Sequence, residues 1–231
     1  MFDAVNFKVV DRIGYLWYYY LSNRSGYSGK ELIMPHFESL PQEKKTLILN
    51  AGFSCFGKNG YKKTSISDIA HASSISKASV FQYFGSKPAL YAYLFKFACD
   101  AIVQKIPSGG DDFFETLEAS IDIKIQVMNN YPGMYDFLAS TVGETDAHVA
   151  SILADQSHFT LGSALQTIFA NVNWDKFKPS IDHTMIFNTV KWISDGYVKE
   201  NINVKYAITM RTELSAYLYL IKKSFYKEEY L

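Results

Sequence analysis

The 231-residue chain predicts an all-α protein, and three observations carry that reading. From Pro41 onward apolar residues recur at spacings of three and four, as they do when each helix buries one stripe. No run of strand-like alternation interrupts them. The stretch from Thr64 to Lys87, TSISDIAHASSISKASVFQYFGSK, also reads as two short helices joined by a tight turn and closed by a lysine, which is the form of a helix-turn-helix.

Residues 1–33 stand apart. They lack the periodicity of the later chain, and GYLWYYYL within them is too short for a secretory signal and has no cleavage signature. Gly29-Lys30-Glu31 can be encoded by a purine-rich ribosome-binding sequence shortly before Met34. The expectation is therefore that translation starts at Met34 and that 1–33 is an extension absent from the native product; the competing reading is an arm entering the DNA minor groove. Such arms are short and rich in Arg and Lys, whereas this one is aromatic.

The first regular helix is expected over Pro41 to Lys58, with Leu47, Ile48, Ala51, Phe53, Cys55 and Phe56 mostly on one face, ending at Gly57 and Gly60. The next starts near Ser65, which forms a capping box with Asp68, and buries Ile66, Ile69 and Ala70. Ser76 caps the third, which sends Val80 and Phe84 inward and leaves Lys77, Ala78, Ser79, Phe81, Gln82 and Tyr83 facing elsewhere. Pro88 then opens a helix carrying Leu90, Tyr91, Leu94, Phe95, Phe97 and Ala98 toward a second domain. Ser108-Gly109-Gly110 marks the clearest break.

Five further helical patterns follow, over 112–130, 133–142, 147–172, 180–201 and 205–227, for a total of about nine. In the penultimate one Ile181, Met185, Ile186, Thr189, Ile193 and Tyr197 make a stripe, with Phe187, Val190 and Trp192 off it. The last repeats Ala207, Met210, Leu214, Tyr217, Leu218, Ile221 and Phe225. Helices apolar on more than one face pack on their own core and on a partner chain, so these two are the expected dimer contact.

From Ala51 to Leu90 the chain resembles the DNA-binding domain of TetR-family transcriptional regulators. The resemblance rests on Ala51, Gly60-Tyr61, Thr64-Ser65, Ile69-Ala70, Ser76-Lys77, Phe81-Gln82-Tyr83-Phe84 and Ser86-Lys87, all in register. Two positions depart from that pattern: Ser74 stands where the turn usually has glycine, and Phe81 replaces the usual tyrosine. The resemblance implies a three-helix DNA-binding head (34–87) and a helical effector-binding and dimerisation body (88–231). It places base-edge contacts at Lys77, Ala78 and Phe81, phosphate contacts at Ser65, Ser79, Tyr83 and Lys87, and Gln82 on the same DNA-facing surface. Lysine donates to guanine O6 and N7, alanine and phenylalanine meet a thymine methyl, and hydroxyls suit phosphate oxygens. The plainer alternative is that Ser65 and Ser76 are caps only and the rest ordinary surface.

Charge agrees with such a division. Residues 34–100 hold eight Lys/Arg against four Asp/Glu, and residues 101–231 hold eleven against sixteen, although the whole chain sums to zero. A basic head on an acidic body is the distribution expected when only the head meets phosphate. Cys55 and Cys99 lie in apolar helical patterns and should be buried, reduced thiols. His36, His71, His148, His158 and His183 form no zinc spacing, and no nucleotide loop or nucleophile elbow is present. No cofactor, metal site or enzymatic activity is therefore expected, and no stretch is long and apolar enough to span a bilayer.

The expectation is a cytoplasmic, homodimeric regulator that binds double-stranded operator DNA as a repressor and is released by a small-molecule effector. The resemblance implies an effector pocket in the body, to which Tyr135, Phe159 and Trp192 are assigned. The alternative is a helical ligand-binding or interaction protein that keeps the scaffold without operator specificity.

Overall fold

The computed structural model describes residues 34–107, 110–141, 145–153, 168–200 and 207–231. The expectations for residues 1–33, and for Phe159 and His158, lie outside them. Among the described residues every regular element is helical, apart from an isolated antiparallel bridge between Phe177 and Tyr226.

The chain opens with a single turn, α1 (Pro35–Glu38), that the sequence pattern did not reveal. Its Phe37 is buried against Tyr83, Phe84 and Tyr93, with ring centroids 6.4, 4.8 and 5.3 Å away. Glu38 accepts a short hydrogen bond from the Tyr93 hydroxyl and pairs with Lys45 at 3.6 Å. A four-residue helix is too short for periodicity to show, so only packing identifies it.

Helix α2 (Gln42–Lys63) runs past Gly57, and the chain kinks at Gly60, where φ is 71°. Gly57 is thus no terminator. A Cβ there would lie 2.8 Å from the Phe137 amide nitrogen, so the missing side chain admits a neighbouring backbone. Thr64, buried just after the kink, donates its hydroxyl to the carbonyls of Cys55 and Gly60, both at 2.9 Å.

Helices α3 (Ile66–Ala72) and α4 (Lys77–Phe84) follow, then α5 (Lys87–Val103), with Pro88 in its first turn and Ser86 as its cap. The body holds α6 (Phe113–Asn130), α7 (Met134–Thr141), α8 (147–153), α9 (His183–Glu200) and α10 (Ala207–Phe225). A 3-10 turn over Trp174–Lys176 precedes α9.

Among the described residues two cores hold these elements. The first joins Ile48, Phe53, Phe56, Ile69, Val80, Phe84, Tyr91 and Leu94 of the head and α5 to Val127, Met134, Phe137, Val149 and Leu153 of the body. Burying one such phenylalanine contributes about 1.5–3 kcal/mol, and Phe53, Phe56 and Tyr91 all pack against Phe137. The second core gathers Phe113, Phe114, Leu117, Ile121, Phe169, Phe177, Ile186, Leu218, Ile221 and Tyr226.

Helix α9 sorts its apolar residues differently from the stripe read in the sequence. Ile186 and Tyr197 are buried and Phe187, Val190 and Ile193 pack on the second core, whereas Met185 and Trp192 point outward at 48% and 62% exposure. Apolar residues cover most of this helix, so spacing alone does not say which face meets the core. On α10, Leu214, Leu218, Ile221 and Phe225 face inward and Tyr217 and Leu220 outward.

Cys55 and Cys99 are free thiols. Burial pushes the Cys99 thiol pKa up to about 12, which keeps it protonated and inert.

Candidate nucleic-acid interface

The caps of the motif helices form as the serine spacing predicts. The Ser65 hydroxyl accepts from the Asp68 amide at 3.1 Å, and the Asp68 carboxylate accepts from the Ser65 amide at 2.8 Å. Those bonds, with little opposition from burial, hold the Asp68 carboxyl below its ordinary pKa. Ser76 caps α4 through the Ser79 amide at 3.0 Å, and the two hydroxyls lie 2.8 Å apart.

Between α3 and α4 the chain turns through Ser74, whose φ is 54°. This is the left-handed conformation that glycine adopts freely and that L side chains resist. The serine at this position therefore keeps the turn and accepts its strain. The buried Ser73 hydroxyl braces it by donating to the Ile69 carbonyl at 2.6 Å.

Val80 and Phe84 are buried under α4, which fixes which side faces out. Lys77, Ala78, Phe81 and Gln82 are exposed together on that side, Phe81 at 42%. Such spacing is one contiguous helical face. Ser79 and Tyr83 are half-buried at its border, and Ser65 is exposed at the start of α3. The face offers an ammonium, an amide, a methyl and an aromatic edge, the set that reads major-groove base edges.

Lys87 lies differently from a free phosphate contact. Its ammonium sits 4.3 Å from the Tyr61 ring centroid and 3.5 Å from the Lys62 carbonyl, and partial burial lowers its pKa below the ordinary lysine value. Lys62 is mostly exposed and pairs with Asp146 of the body at 3.0 Å, while Lys63 beside it is exposed. Sequence reasoning missed the structural half of the Thr64-Ser65 pair, because a buried threonine closing a kink leaves no periodic trace.

In the body, Tyr135 is half-buried, and burial raises its phenol's pKa above the ordinary value with Asp136 adding to it. Trp192 stands on the outer surface, so it does not line an interior space of a single chain. Among the described residues no cluster of His, Cys, Asp and Glu has the form of a metal site. His183 instead stacks on Trp174 at 3.9 Å, and His148 packs edge-on to Tyr61 at 6.4 Å. No described helix is long and apolar enough to cross a membrane.

Residues 48–94 match the family described as bacterial regulatory proteins, tetR family. The chain is 30% identical over 91 residues to the HTH-type transcriptional regulator RutR of Escherichia coli (strain K12), a match covering 38% of this chain and 43% of that protein. It is 32% identical over 68 residues to the HTH-type transcriptional regulator HbdR of Aromatoleum sp. (strain CIB), covering 29% and 30%. It spans less than half the length of these relatives. Among solved structures, the fatty acid degradation regulator FadR from Bacillus halodurans shares the fold with a TM-score of 0.57 at 16% identity, over 74% of this chain and 96% of that one. A TetR family transcriptional regulator from Chloroflexus aurantiacus J-10-FL gives 0.51 at 20% identity, over 83% and 97%. Residues 48–94 thus match the tetR family of bacterial regulatory proteins, and the chain as a whole shares its helical fold with these solved regulators.

Proposed function

We propose that this protein is a cytoplasmic, homodimeric regulator of transcription that binds double-stranded operator DNA through α4 and acts as a repressor released by a small-molecule effector. The observation that carries the reading is the outward face of α4, where Lys77, Ala78, Phe81 and Gln82 are free while Val80 and Phe84 anchor the helix beneath. The apolar residues left exposed on α9 and α10, Met185, Trp192, Tyr217 and Leu220, support pairing of two copies through those helices. Release follows by linkage: an effector that favours a head spacing unsuited to successive major grooves weakens DNA binding, and DNA weakens the effector equally.

The scaffold-only alternative leaned on the altered turn and on Phe81. Ser74 preserves the left-handed turn and Phe81 is presented outward, so neither departure dismantles the motif.

The test is an electrophoretic shift on the DNA upstream of the protein's own gene across a salt series. Binding there should fall steeply with salt and be absent on unrelated DNA. Lys77→Ala should change which base is preferred at one position, costing about 1–3 kcal/mol, whereas Lys87→Ala should weaken all sequences alike. Equal losses on every sequence for both variants would overturn the assignment of roles.

A further inference from the structure

The single turn α1 lies ahead of the family-matched residues 48–94, yet it carries one of the largest fully buried side chains among the described residues. Phe37 is 1% exposed, and its ring stands 4.8 Å from Phe84 and 6.4 Å from Tyr83 of α4 and 5.3 Å from Tyr93 of α5. Four residues cannot hold such a ring in place by their own helical bonds. The neighbouring Glu38 supplies the anchorage. Its carboxylate accepts from the Tyr93 hydroxyl and pairs with Lys45 at 3.6 Å, and the Lys45 ammonium also donates to the Glu38 carbonyl at 3.2 Å. The turn is thereby tied to α2 and α5, with its ring packed against α4.

Helix α4 needs that support at its C-terminal end. It has eight residues, too few to be stable alone, and it is bounded by left-handed backbone at Ser74 (φ 54°) and Gly85 (φ 73°). Its buried residues are Val80 and Phe84, so its pose over the core rests on those two side chains. Phe84 is its last residue, and of the rings around it Phe37 is nearest, ahead of Tyr93 at 5.5 Å and Tyr83 at 6.4 Å. At about 100° per residue, Gln82 lies about 160° around the helix from Phe84, with Ala78 one turn before it on the same face. Whatever holds Phe84 from beneath therefore sets how far Gln82 projects.

We propose that Phe37 is a positioning residue for DNA reading: it touches no base, but it sets the depth at which Gln82 and Ala78 enter the major groove. Without the ring a void opens beneath the last turn of α4, and the helix settles toward it. A paired amide contact to a base edge depends on distance and angle and is lost by such a shift. Attraction to phosphate supplies non-specific affinity and does not depend on that depth. This role rests on the reading of α4 as the helix that meets operator DNA.

The full-length parent is used to select its preferred duplex from a randomised pool. Affinities of parent and variants for that duplex and for a scrambled one are then measured at a temperature where circular dichroism shows each protein folded. Phe37→Ala should lower the ratio of selected to scrambled affinity about tenfold, as loss of one base contact does, and should bind the scrambled duplex within about twofold of the parent. Phe53→Leu loosens the same core elsewhere, since its ring packs on Phe97, Tyr131 and Phe137, and it should keep the parent's ratio. If Phe37→Ala does not fold, Phe37→Leu is read by the same ratio, which should fall at least about threefold. An unchanged ratio in the variant that folds, equal losses on both duplexes, or the same fall in Phe53→Leu would overturn the role of Phe37 and leave α4 as the reading helix. A parent that selects no sequence overturns the regulatory reading and this role with it.

Discussion

Ser74 shows how much a single residue decides in the head. Its φ of 54° is a conformation that costs an L residue about 1–2 kcal/mol, and a β-branched side chain there suffers more than serine. Ser74 already bears that cost, so Ser74→Val is expected to destabilise the protein only by the added strain of β-branching, while Ser74→Gly leaves stability unchanged or raises it by up to about 1–2 kcal/mol, both read as shifts in urea midpoint. A Ser74→Gly variant clearly less stable than the parent would show that the serine hydroxyl, not the turn, matters. The caps at Ser65 and Ser76 were legible beforehand because each is satisfied within three residues of itself. Lys87 was not, because its ring partner lies twenty-six positions back, at Tyr61.

Among the elements, α2 and α6 carry the next two tests. An alanine normally stabilises a helix over glycine by about 1 kcal/mol. At Gly57 of α2 the added Cβ would stand 2.8 Å from the Phe137 amide nitrogen and 2.9 Å from the Asp136 Cβ. Gly57→Ala should therefore destabilise, by about 1–3 kcal/mol, and a rise in melting temperature would contradict the close approach. Helix α6 begins at the buried Asp112, which accepts from the amides of Phe114 and Glu115 and pairs with Lys176 and Lys222, both at 3.4 Å. Burial pushes its carboxyl up, but the Glu115 amide and the two ammoniums more than offset that and hold its pKa below the ordinary value. A depressed folded pKa contributes stability above the unfolded value, about 3.9, and loses it as pH falls through the folded one. Asp112→Asn should accordingly cost about 1–3 kcal/mol near neutral pH, with the gap to the parent closing as pH falls below about 4. A gap independent of pH would mean that the charge contributes nothing. Helix existence was readable in the sequence wherever periodicity ran for several turns; α1 was too short to show it, and Gly57 was read as a stop because a glycine that ends a helix and one that admits a neighbour look alike in a string of letters.

For the whole molecule, pairing is the property most open to measurement. Trp192 and Leu220 are 62% and 60% exposed on α9 and α10. Charges placed in an apolar contact between copies would be buried unpaired, so the double variant Trp192→Glu, Leu220→Glu should sediment as a monomer at micromolar concentration while keeping its helical content; an unchanged dimer would move the contact elsewhere. That two faces of α9 are apolar was visible in the sequence, but which face turns inward depended on Phe113 and Phe169, whose rings meet Phe187 at 5.4 and 5.9 Å. The glycine contacts have a mechanical meaning as well. Gly133, whose Cβ would come within 2.6 Å of the Ser54 amide nitrogen, adds to Gly57 a second close approach between α2 and the start of α7. Two such close approaches leave little room for α7 to shift against α2. The lever is α5, whose 17 residues make an arm of about 25 Å. Turned about its far end by about 5°, that arm carries the head some 2 Å sideways, a displacement set by length alone.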